Sequence, residues 1–330
     1  MKKILEQLYH NEPLSSAQAS DVLTAIAAGA MNPAQVASFI TVYLMRSITV
    51  NELRGFREAM LEIAIPFHTE RDCIDLCGTG GDGKNTFNIS TLSSFVVAAC
   101  GVSVAKHGNY GVSSVSGSSN VMEYFGYRFT NDEETLTKQL DKCNICFLHA
   151  PLFHPAMKAV APVRKELGVK TFFNMLGPLV NPARPTYRCT GVFSLQVARL
   201  YHHLLQQSGE KYSIIHSLDG YDEISLTGNV RIYTSTSEND FHPTDFQSER
   251  LKPEELFGGD TVEEAAKIFI SILEGNGTKA QKAVVAGNSG IALITAHPHW
   301  SLEEAITRAD ESLQNGKALQ TFKQLLALQS

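Results

Sequence analysis

The chain has 330 residues, of which 43% are hydrophobic and 19% charged, with a formal net charge of -6 at pH 7. This balance excludes a disordered chain, and the acidic charge argues against a protein whose surface binds nucleic acid. No apolar run is long enough to span a membrane, and the amino terminus becomes charged too early for a signal peptide. We therefore expect a cytoplasmic protein with no membrane partner.

The six cysteines predict neither a metal site nor a redox site. Cys143 and Cys146 have the spacing of a metal-binding pair, but no second pair or histidine partner stands at zinc-finger spacing. Cys77, Cys146 and Cys189 lie in apolar, strand-like runs, where a free thiol packs as a small hydrophobic group. We therefore expect buried, reduced cysteines.

The first seventy residues carry the pattern of short helices. Helix-capping signals occur at Ser15 with Gln18, at Asn32-Pro33, and at Thr49 with Glu52. Apolar residues follow these signals at helical spacing. The pattern predicts a small helical domain over residues 1–70. The proline-punctuated segment 154–184 could rejoin that domain.

After Cys73 the rhythm changes to short strands that alternate with helices. The predicted strands are 73–76, 102–105, 145–148, 189–193 and 212–216, and the clearest helices are 195–207 and 262–273. This alternation is typical of an α/β domain with a mostly parallel, helix-covered sheet. We assign that domain to residues 71–153 and 185–330. Ligands of such sheets bind beyond the carboxyl ends of the strands.

A glycine-rich loop follows the first predicted strand and reads Gly78-Thr79-Gly80-Gly81-Asp82-Gly83-Lys84. Glycine lacks a Cβ, so backbone N–H groups can crowd around an anion. The loop is neither a P-loop nor a dinucleotide-binding fingerprint. A tight turn alone explains two of the glycines, but it does not explain Asn88, Ser90 and Thr91 at the expected start of the next helix. Free N–H groups bind anions there, which favours a phosphate site.

A second loop of small and polar residues runs from Lys106 to Ser119. Its hydroxyl and amide groups are hydrogen-bond donors, and its lysine adds a point charge. Two such loops in one chain indicate a ligand with two phosphate clusters. The serines have no partnered histidine and acid, so we predict no catalytic nucleophile.

Two charged features allow a functional and a structural interpretation. The adjacent carboxylates Asp222 and Glu223 would ordinarily be solvated, but they follow a predicted strand at the expected ligand edge. A polyphosphate site needs Mg²⁺, which takes one or two carboxylates together with phosphate oxygens and water. Arg164 is either a fork for a substrate carboxylate or a surface residue paired with Glu166. Sequence spacing leaves both interpretations of Arg164 open.

Several motifs together carry a family resemblance. They are Gly78-Thr79-Gly80-Gly81-Asp82, Asn88-x-Ser90-Thr91, Lys106-His107-Gly108-Asn109, Ser113-Ser114-x-Ser116-Gly117-Ser118, Asn174-x-Leu176-Gly177-Pro178-Leu179-x-Asn181-Pro182 and Asp222-Glu223. In this order they resemble anthranilate phosphoribosyltransferase over nearly the whole chain. The resemblance implies the fold shared with nucleoside phosphorylases. It also implies transfer of the phosphoribosyl group of 5-phosphoribosyl 1-pyrophosphate to anthranilate in tryptophan biosynthesis, and a homodimer formed through the helical domain.

The resemblance further implies a set of site residues. Phosphoribosyl pyrophosphate would be bound by Gly78, Gly81, Asp82, Thr86, Asn88, Ile89, Ser90 and Thr91. Lys106, His107, Gly108, Asn109, Tyr110, Gly111, Val112, Ser113, Ser114 and Ser118 would close over the same substrate. Asn109 and Arg164 match positions that contact anthranilate, and Ser90, Asp222 and Glu223 would bind Mg²⁺.

The chain departs from the common family pattern in the second loop. Tyr110 stands where the family usually has arginine, Val115 where a basic residue is common, and Asn120 where an acid is common. Two positive charges are therefore missing near an anionic substrate, although Lys84 and Lys106 remain.

Two rival functions stay open at this point. A pyrimidine nucleoside phosphorylase shares the layout, but it has no use for the Asp222-Glu223 pair, and its lysine loop differs from Lys106-His107-Gly108-Asn109. A non-catalytic relative that binds nucleic acid should carry a basic stripe, whereas this chain is acidic overall.

Overall fold

The computed structural model describes residues 1–111 and 115–329. In chain order its helices are α1 (Lys2–Tyr9), α2 (Ser16–Ala27), α3 (Pro33–Met45), α4 (Val50–Glu62), α5 (Ile89–Ala99), α6 (Ser118–Tyr124), α7 (Glu133–Cys143), α8 (Ala150–Phe153), α9 (Ala161–Leu167), α10 (Phe173–Leu176), α11 (Leu195–Gln206), α12 (Val262–Leu273), α13 (Lys279–Ala296), α14 (Leu302–Gln314) and α15 (Lys317–Ala327). Its strands are β1 (Cys73–Gly78), β2 (Ser103–Gly108), β3 (Ile145–His149), β4 (Tyr187–Gly191), β5 (Lys211–Ser217), β6 (Val230–Thr234) and β7 (Glu238–Phe241).

The chain divides into two compact units. The helical unit comprises Met1–Pro66 and Ala150–Pro182, and the α/β unit comprises Phe67–His149 and Ala183–Ser330. None of the described helices is long and apolar enough to cross a lipid bilayer.

Helix caps and one buried carboxylate organise the helical unit. The capping boxes expected at the starts of α2, α3 and α4 are all present. Glu52 of α4 is fully buried, and its carboxylate accepts hydrogen bonds from the backbone of Leu14, from Tyr43 and from Arg46. Tyr43 lies in α3, and Arg46 is the residue that caps the end of α3. The Glu52 carboxylate therefore connects α4 to α3 and to the segment that precedes α2.

Aromatic packing brings the later segment into the helical unit. Phe172 stacks on Phe56 with ring centroids 4.8 Å apart, and it also meets Phe39 and Tyr43 edge to face. Edge-to-face and offset-stacked rings are the favoured aromatic geometries. Where α2 crosses α4, a Cβ on Gly55 would lie 2.1 Å from the carbonyl oxygen of Ser16, so only glycine fits there.

The α/β unit is built on one seven-stranded sheet with the order β3-β2-β1-β4-β5-β6-β7. The strands from β3 to β5 are parallel, and β6 and β7 extend the sheet with antiparallel pairs. The helices α5 and α13 supply much of the core against it. The predicted fold class, a small helical domain with a larger, mostly parallel α/β domain, is confirmed.

One sequence-based boundary is wrong. We expected Lys106, His107 and Gly108 in a loop, but all three lie in β2 and pair with β3 residues from Phe147 to His149. Polar residues at the end of a predicted strand are typical of a loop. Here their backbone groups pair with β3, and the Lys106 and His107 side chains are buried in the α/β unit. All six cysteines are free.

Candidate active site

The site forms where the strand order reverses. β1 has β2 on one side and β4 on the other, and the carboxyl ends of such neighbouring strands leave a crevice for ligands. The glycine-rich loop follows β1, and the turn that contains Asp222 and Glu223 follows β5. Gly78 and Gly191 are the last residues of β1 and β4.

The glycines at these strand ends make room for Asp222. A Cβ on Gly78 would lie 2.5 Å from the Asp222 Oδ2, and a Cβ on Gly191 would lie 1.5 Å from the Asp222 carbonyl oxygen. Across the loop, the Gly80 N–H donates to the Asp222 Oδ2 at 2.7 Å. Glycine at these positions therefore lets the acidic turn pack directly on the phosphate-type loop.

The glycine-rich loop presents unused backbone donors. Gly80, Gly81 and Gly83 adopt positive φ angles, a backbone conformation that glycine allows without steric strain. Among the described residues the N–H groups of Asp82 and Gly83 make no hydrogen bond, whereas the Lys84 N–H donates to the Asp82 Oδ1 at 2.9 Å. Thr86 bridges to Phe257, which holds the far end of the loop.

The start of α5 offers a second set of donors. No side chain caps this helix, and the N–H groups of Ser90 and Thr91 have no hydrogen-bond partner in the described chain. Ile89 is buried and donates its N–H to the Phe87 carbonyl. The Asn88 side chain donates to the Ser116 carbonyl at 2.9 Å, while its own buried Oδ1 lacks a partner within residues 1–111 and 115–329. An uncapped helix start of this kind favours an anion.

Lys106 lies beneath the loop rather than on it. Its ammonium donates to the Leu76 carbonyl and lies 3.4 Å from the Ser90 Oγ. Burial lowers the pKa of Lys106, and nearby acidic groups, including Asp75 and Glu223, oppose that shift. A buried ammonium therefore sits among groups predicted to bind substrate and metal.

The second loop is tied to α6 at its two described ends. The Asn109 carbonyl accepts from the Ser118 Oγ and from the Ser119 N–H, and a Cβ on Gly108 would lie 2.6 Å from that Ser118 oxygen. Asn120 accepts from the N–H groups of Gly111 and Gly117, each at 3.0 Å. The predicted site residues Val112, Ser113 and Ser114 lie outside the described residues.

Tyr110, which the sequence analysis placed in the second loop, contacts Glu123 and His149. Its hydroxyl donates to Glu123 at 2.7 Å, and its ring meets the His149 ring edge to face at 4.9 Å. His149 is fixed by the Ser119 hydroxyl at 2.9 Å. His107, also predicted as a site residue, is buried in β2 and receives support through its N–H, which donates to Asp75 at 3.1 Å.

The carboxyl groups of Asp82, Asp222 and Glu223 lie close enough for their charges to interact. Burial and the neighbouring Asp82 raise the pKa of Asp222, and burial and Asp222 raise the pKa of Glu223. The Ser90 hydroxyl and Lys106 oppose the shift of Glu223. The structure therefore brings together Ser90, Asp222 and Glu223, the three residues predicted to bind metal.

These groups fit a divalent cation that keeps part of its shell for other ligands. Excess negative charge disfavours ionisation of the buried carboxyl groups, and a cation would reverse that effect. In the described chain no three histidine, cysteine or carboxylate side chains are arranged to hold a metal ion. The protein would therefore supply only two carboxylates and the Ser90 hydroxyl, and other ligands would complete the shell. Mg²⁺ suits such a site, because it retains several waters and binds through one or two carboxylates plus phosphate oxygens.

Two supporting residues escaped the sequence analysis. Asn288 of α13 is buried, accepts from the Ile224 N–H at 3.0 Å, and donates to the Ile224 carbonyl at 2.9 Å. Ser217 donates its hydroxyl to the Glu223 carbonyl at 2.7 Å. Both hold the backbone of the acidic turn. An asparagine within an apolar helix pattern was the available signal for Asn288.

Arg164 belongs to the helical unit and has no carboxylate partner among the described residues, Glu166 included. Its guanidinium is half-buried, lies 5.3 Å from the Phe173 ring centre, and makes a long 3.4 Å contact with the Asn174 Oδ1. Burial lowers its pKa, although a guanidinium stays protonated in proteins. The ion pair with Glu166 is therefore not formed among the described residues.

The fold and the phosphate-type loops define a glycosyl transferase. A family model described as the α/β domain of a glycosyl transferase family matches residues 70–319, and its helical bundle domain matches residues 2–64. Anthranilate phosphoribosyltransferases of Flavobacterium psychrophilum and Cytophaga hutchinsonii are each 55% identical to the chain, covering 99% and 98% of it and 99% of each relative. The chain belongs to the anthranilate phosphoribosyltransferase family.

Solved structures agree with this assignment. The crystal structure of anthranilate phosphoribosyltransferase from Thermus thermophilus superposes with a TM-score of 0.92 at 34% identity, covering 98% of both chains. The enzyme from Saccharomyces cerevisiae in complex with phosphoribosyl pyrophosphate and Mg superposes with a TM-score of 0.91 at 26% identity, covering 98% of this chain and 96% of that one.

Proposed function

We propose that the chain transfers the phosphoribosyl group of 5-phosphoribosyl 1-pyrophosphate to the amine of anthranilate, with release of pyrophosphate, in tryptophan biosynthesis. The observation that carries the proposal is the presence of two sets of backbone N–H groups without a partner in the described chain. One set is at Asp82 and Gly83 and the other at Ser90 and Thr91, and the Asp222-Glu223 turn contacts the same loop. Such donors suit phosphate groups. The relatives and structural neighbours of the same name support the substrates.

The reaction breaks the bond between the ribose C1 and pyrophosphate oxygen and forms a bond between C1 and the amine nitrogen. Positive charge grows on the ribose and negative charge on the departing pyrophosphate. The loop and the start of α5 provide fixed N–H dipoles for that negative charge, and such preorganised stabilisation is commonly the largest catalytic contribution. Lys106 adds a buried positive charge beside Ser90.

No general base is assigned to the amine. An aromatic amine is neutral at pH 7 and carries an available lone pair, so its orientation matters more than removal of a proton before attack. The proton that the nitrogen releases after the new bond forms passes to water.

We propose Mg²⁺ as the cofactor, held by Asp222 and Glu223 with the Ser90 hydroxyl nearby. When bound, the ion neutralises the leaving pyrophosphate and polarises its oxygens. The raised pKa values of the two carboxyl groups and the complex of the yeast relative with phosphoribosyl pyrophosphate and Mg support this choice.

We propose that Arg164 binds the carboxylate of anthranilate. A guanidinium matches a carboxylate in a bidentate fork, and the Arg164 guanidinium lacks a carboxylate partner in the described chain. The structure of the anthranilate phosphoribosyltransferase from Saccharomyces cerevisiae has been solved in complex with 4-fluoroanthranilate. We propose that the α/β unit binds phosphoribosyl pyrophosphate and the metal ion. Arg164 belongs to the helical unit.

We also propose a homodimer formed through the helical unit. Tyr9, Leu44 and Met45 are exposed on its helices, and Met45 is 84% exposed. Burial of these side chains against a second copy of the chain would remove their apolar surface from water. Light scattering of the wild type and of Met45→Glu tests the proposal; a monomeric wild type would contradict it.

Turnover by the purified full-length protein tests the function. We expect anthranilate fluorescence to fall only when phosphoribosyl pyrophosphate and Mg²⁺ are both present, and to stop on addition of a chelator. A parallel assay with thymidine and phosphate tests the phosphorylase alternative. Phosphorolysis of thymidine without consumption of anthranilate would overturn the proposed function.

A further inference from the structure

One lysine of the glycine-rich loop is not explained by the functions assigned so far. The ammonium of Lys84 lies 4.6 Å from the centre of the Tyr221 ring, and Tyr221 immediately precedes Asp222 and Glu223. In the described part of the chain, Lys84 pairs with no carboxylate. Its side chain is half-buried, and the Tyr221 side chain is buried.

The backbone on both sides of Lys84 is held in place. Its own N–H donates to Asp82 at 2.9 Å, and the Asn85 side chain donates to the Gly259 carbonyl at 2.8 Å. The Gly258 N–H returns a hydrogen bond to the Asn85 carbonyl at 2.8 Å. The direction in which Lys84 leaves the loop is therefore set before any ligand binds.

The ring over which the Lys84 ammonium lies has carboxylates near it. Tyr221 lies in the field of Asp82, Asp219 and Glu254, and Asp222 follows it in the chain. The other lysine of the site, Lys106, is buried and already donates to the Leu76 carbonyl. A polyanion that enters these acidic surroundings is repelled by the carboxylates, so an additional cationic side chain would favour its binding. Lys84 is placed to supply that charge.

We propose that Lys84 is a binding residue for the pyrophosphate group of the donor, with Tyr221 holding its ammonium beside the loop until the donor arrives. The proposal rests on the proposed phosphoribosyl transfer. A cation over an aromatic ring keeps its N–H donors available, and a charge-assisted hydrogen bond to a phosphate oxygen is stronger than a partly exposed cation–ring contact. The ammonium can therefore turn towards phosphate with its backbone unchanged.

Binding of inorganic pyrophosphate to the full-length protein, measured by calorimetry at fixed Mg²⁺, tests the proposal. Lys84→Met retains an apolar stem against Tyr221 and removes only the charge. We expect it to weaken pyrophosphate binding about tenfold, the loss of one charge-assisted hydrogen bond. Lys84→Arg should keep most of the affinity. Lys138→Met, which removes an exposed lysine from α7, should bind as the wild type does.

Steady-state kinetics separate a binding role from a packing role. Lys84→Met should raise the KM for phosphoribosyl pyrophosphate about tenfold and leave the KM for anthranilate unchanged. It should also flatten the salt dependence of pyrophosphate binding, because one screened charge is lost. Tyr221→Leu keeps the charge but removes its support, so we expect a smaller loss of pyrophosphate affinity.

Pyrophosphate affinity of Lys84→Met within twofold of the wild type would overturn the role of Lys84, even if the wild type consumes anthranilate at full rate. Failure of the wild type to consume anthranilate would instead contradict the proposed function. Pyrophosphate binding can still be measured in that case, so the two failures are distinguishable.

Discussion

The Gly80 N–H donates to the Asp222 Oδ2 across 2.7 Å, although 142 residues separate the two in the chain. This hydrogen bond joins the glycine-rich loop after β1 to the acidic turn after β5. It thereby links the proposed phosphate-binding loop directly to the proposed metal ligands. Rigid placement is what stabilisation of a departing polyanion requires.

We expect Asp222→Asn and Glu223→Gln to reduce Mg²⁺-dependent turnover on the order of a hundredfold, about 2.7 kcal/mol of transition-state stabilisation. Each change removes a charged ligand of the proposed metal and keeps the side-chain shape. Turnover is measured across a Mg²⁺ titration. Asp219→Asn, an exposed acid of the same turn, is the control and should retain activity. Wild-type rates for both variants at low Mg²⁺ would remove these residues from the metal site.

Gly191→Ala should destabilise the α/β unit by about 1–3 kcal/mol, because overpacking forces the backbone apart. The new Cβ would meet the Asp222 carbonyl oxygen at 1.5 Å. Urea unfolding measures the loss, and turnover should fall with it. Gly287→Ala is the control, since its Cβ would make an ordinary 3.4 Å contact with Phe246. Equal stability of the two variants would show that the turn does not pack on β4 as described.

Glu52→Gln should destabilise the helical unit by about 3–5 kcal/mol, because it leaves the partly buried Arg46 without its charge partner. Burial opposes ionisation of Glu52, but hydrogen bonds from Arg46, Leu14 and Thr49 hold its pKa below the ordinary value. The stability that this carboxylate contributes is therefore present above the unfolded pKa, and it is lost as the pH falls through the folded pKa.

Thermal unfolding of the wild type and of Glu52→Gln checks this prediction. It is measured from about pH 3 to about pH 7, a range that brackets the ordinary glutamate pKa. The difference between the two proteins should be largest near neutral pH and shrink in acid. Glu58→Gln, an exposed glutamate of the same helix, serves as the control. A pH-independent difference would mean that the charge of Glu52 does not contribute.

Arg164→Ala should raise the KM for anthranilate roughly ten- to 150-fold, the equivalent of one charge-assisted hydrogen bond of about 1.5–3 kcal/mol. The KM for phosphoribosyl pyrophosphate should change much less. Arg164→Lys should recover only part of the loss, because an ammonium lacks the planar fork. Lys165→Ala, its exposed neighbour on α9, should behave as the wild type does. An unchanged KM for anthranilate in Arg164→Ala would exclude Arg164 from the site.

Crystals grown with sulfate or phosphate should show an anion at the N–H groups of Asp82 and Gly83 or at those of Ser90 and Thr91. These backbone donors lack partners in the described chain, and their binding of anions does not depend on the rest of the substrate. The anion should disappear when pyrophosphate is soaked in. A crystal at high phosphate with only water at both places would contradict the phosphate assignment.

Local sequence signals determined the helix starts and the class of fold. Ser15, Asn32 and Thr49 each form the capping box that their spacing indicated, because a cap needs only residues within one turn. The alternation of apolar strands and helices likewise predicted the parallel sheet. The glycine-rich loop and the Asp222-Glu223 pair were recognisable because their residue types are restricted by chemistry rather than by distant packing.

Tertiary structure decided which of these residues meet. Lys106 has the polarity of a loop residue but lies in β2, because the Leu76 carbonyl and Ser90 accept its buried ammonium. Asn288 supports Ile224 from 64 residues away, and Gly191 makes room for Asp222 from another strand. A sequence read locally carries no record of such contacts, since they depend on the distances that the folded sheet imposes between segments remote in the chain.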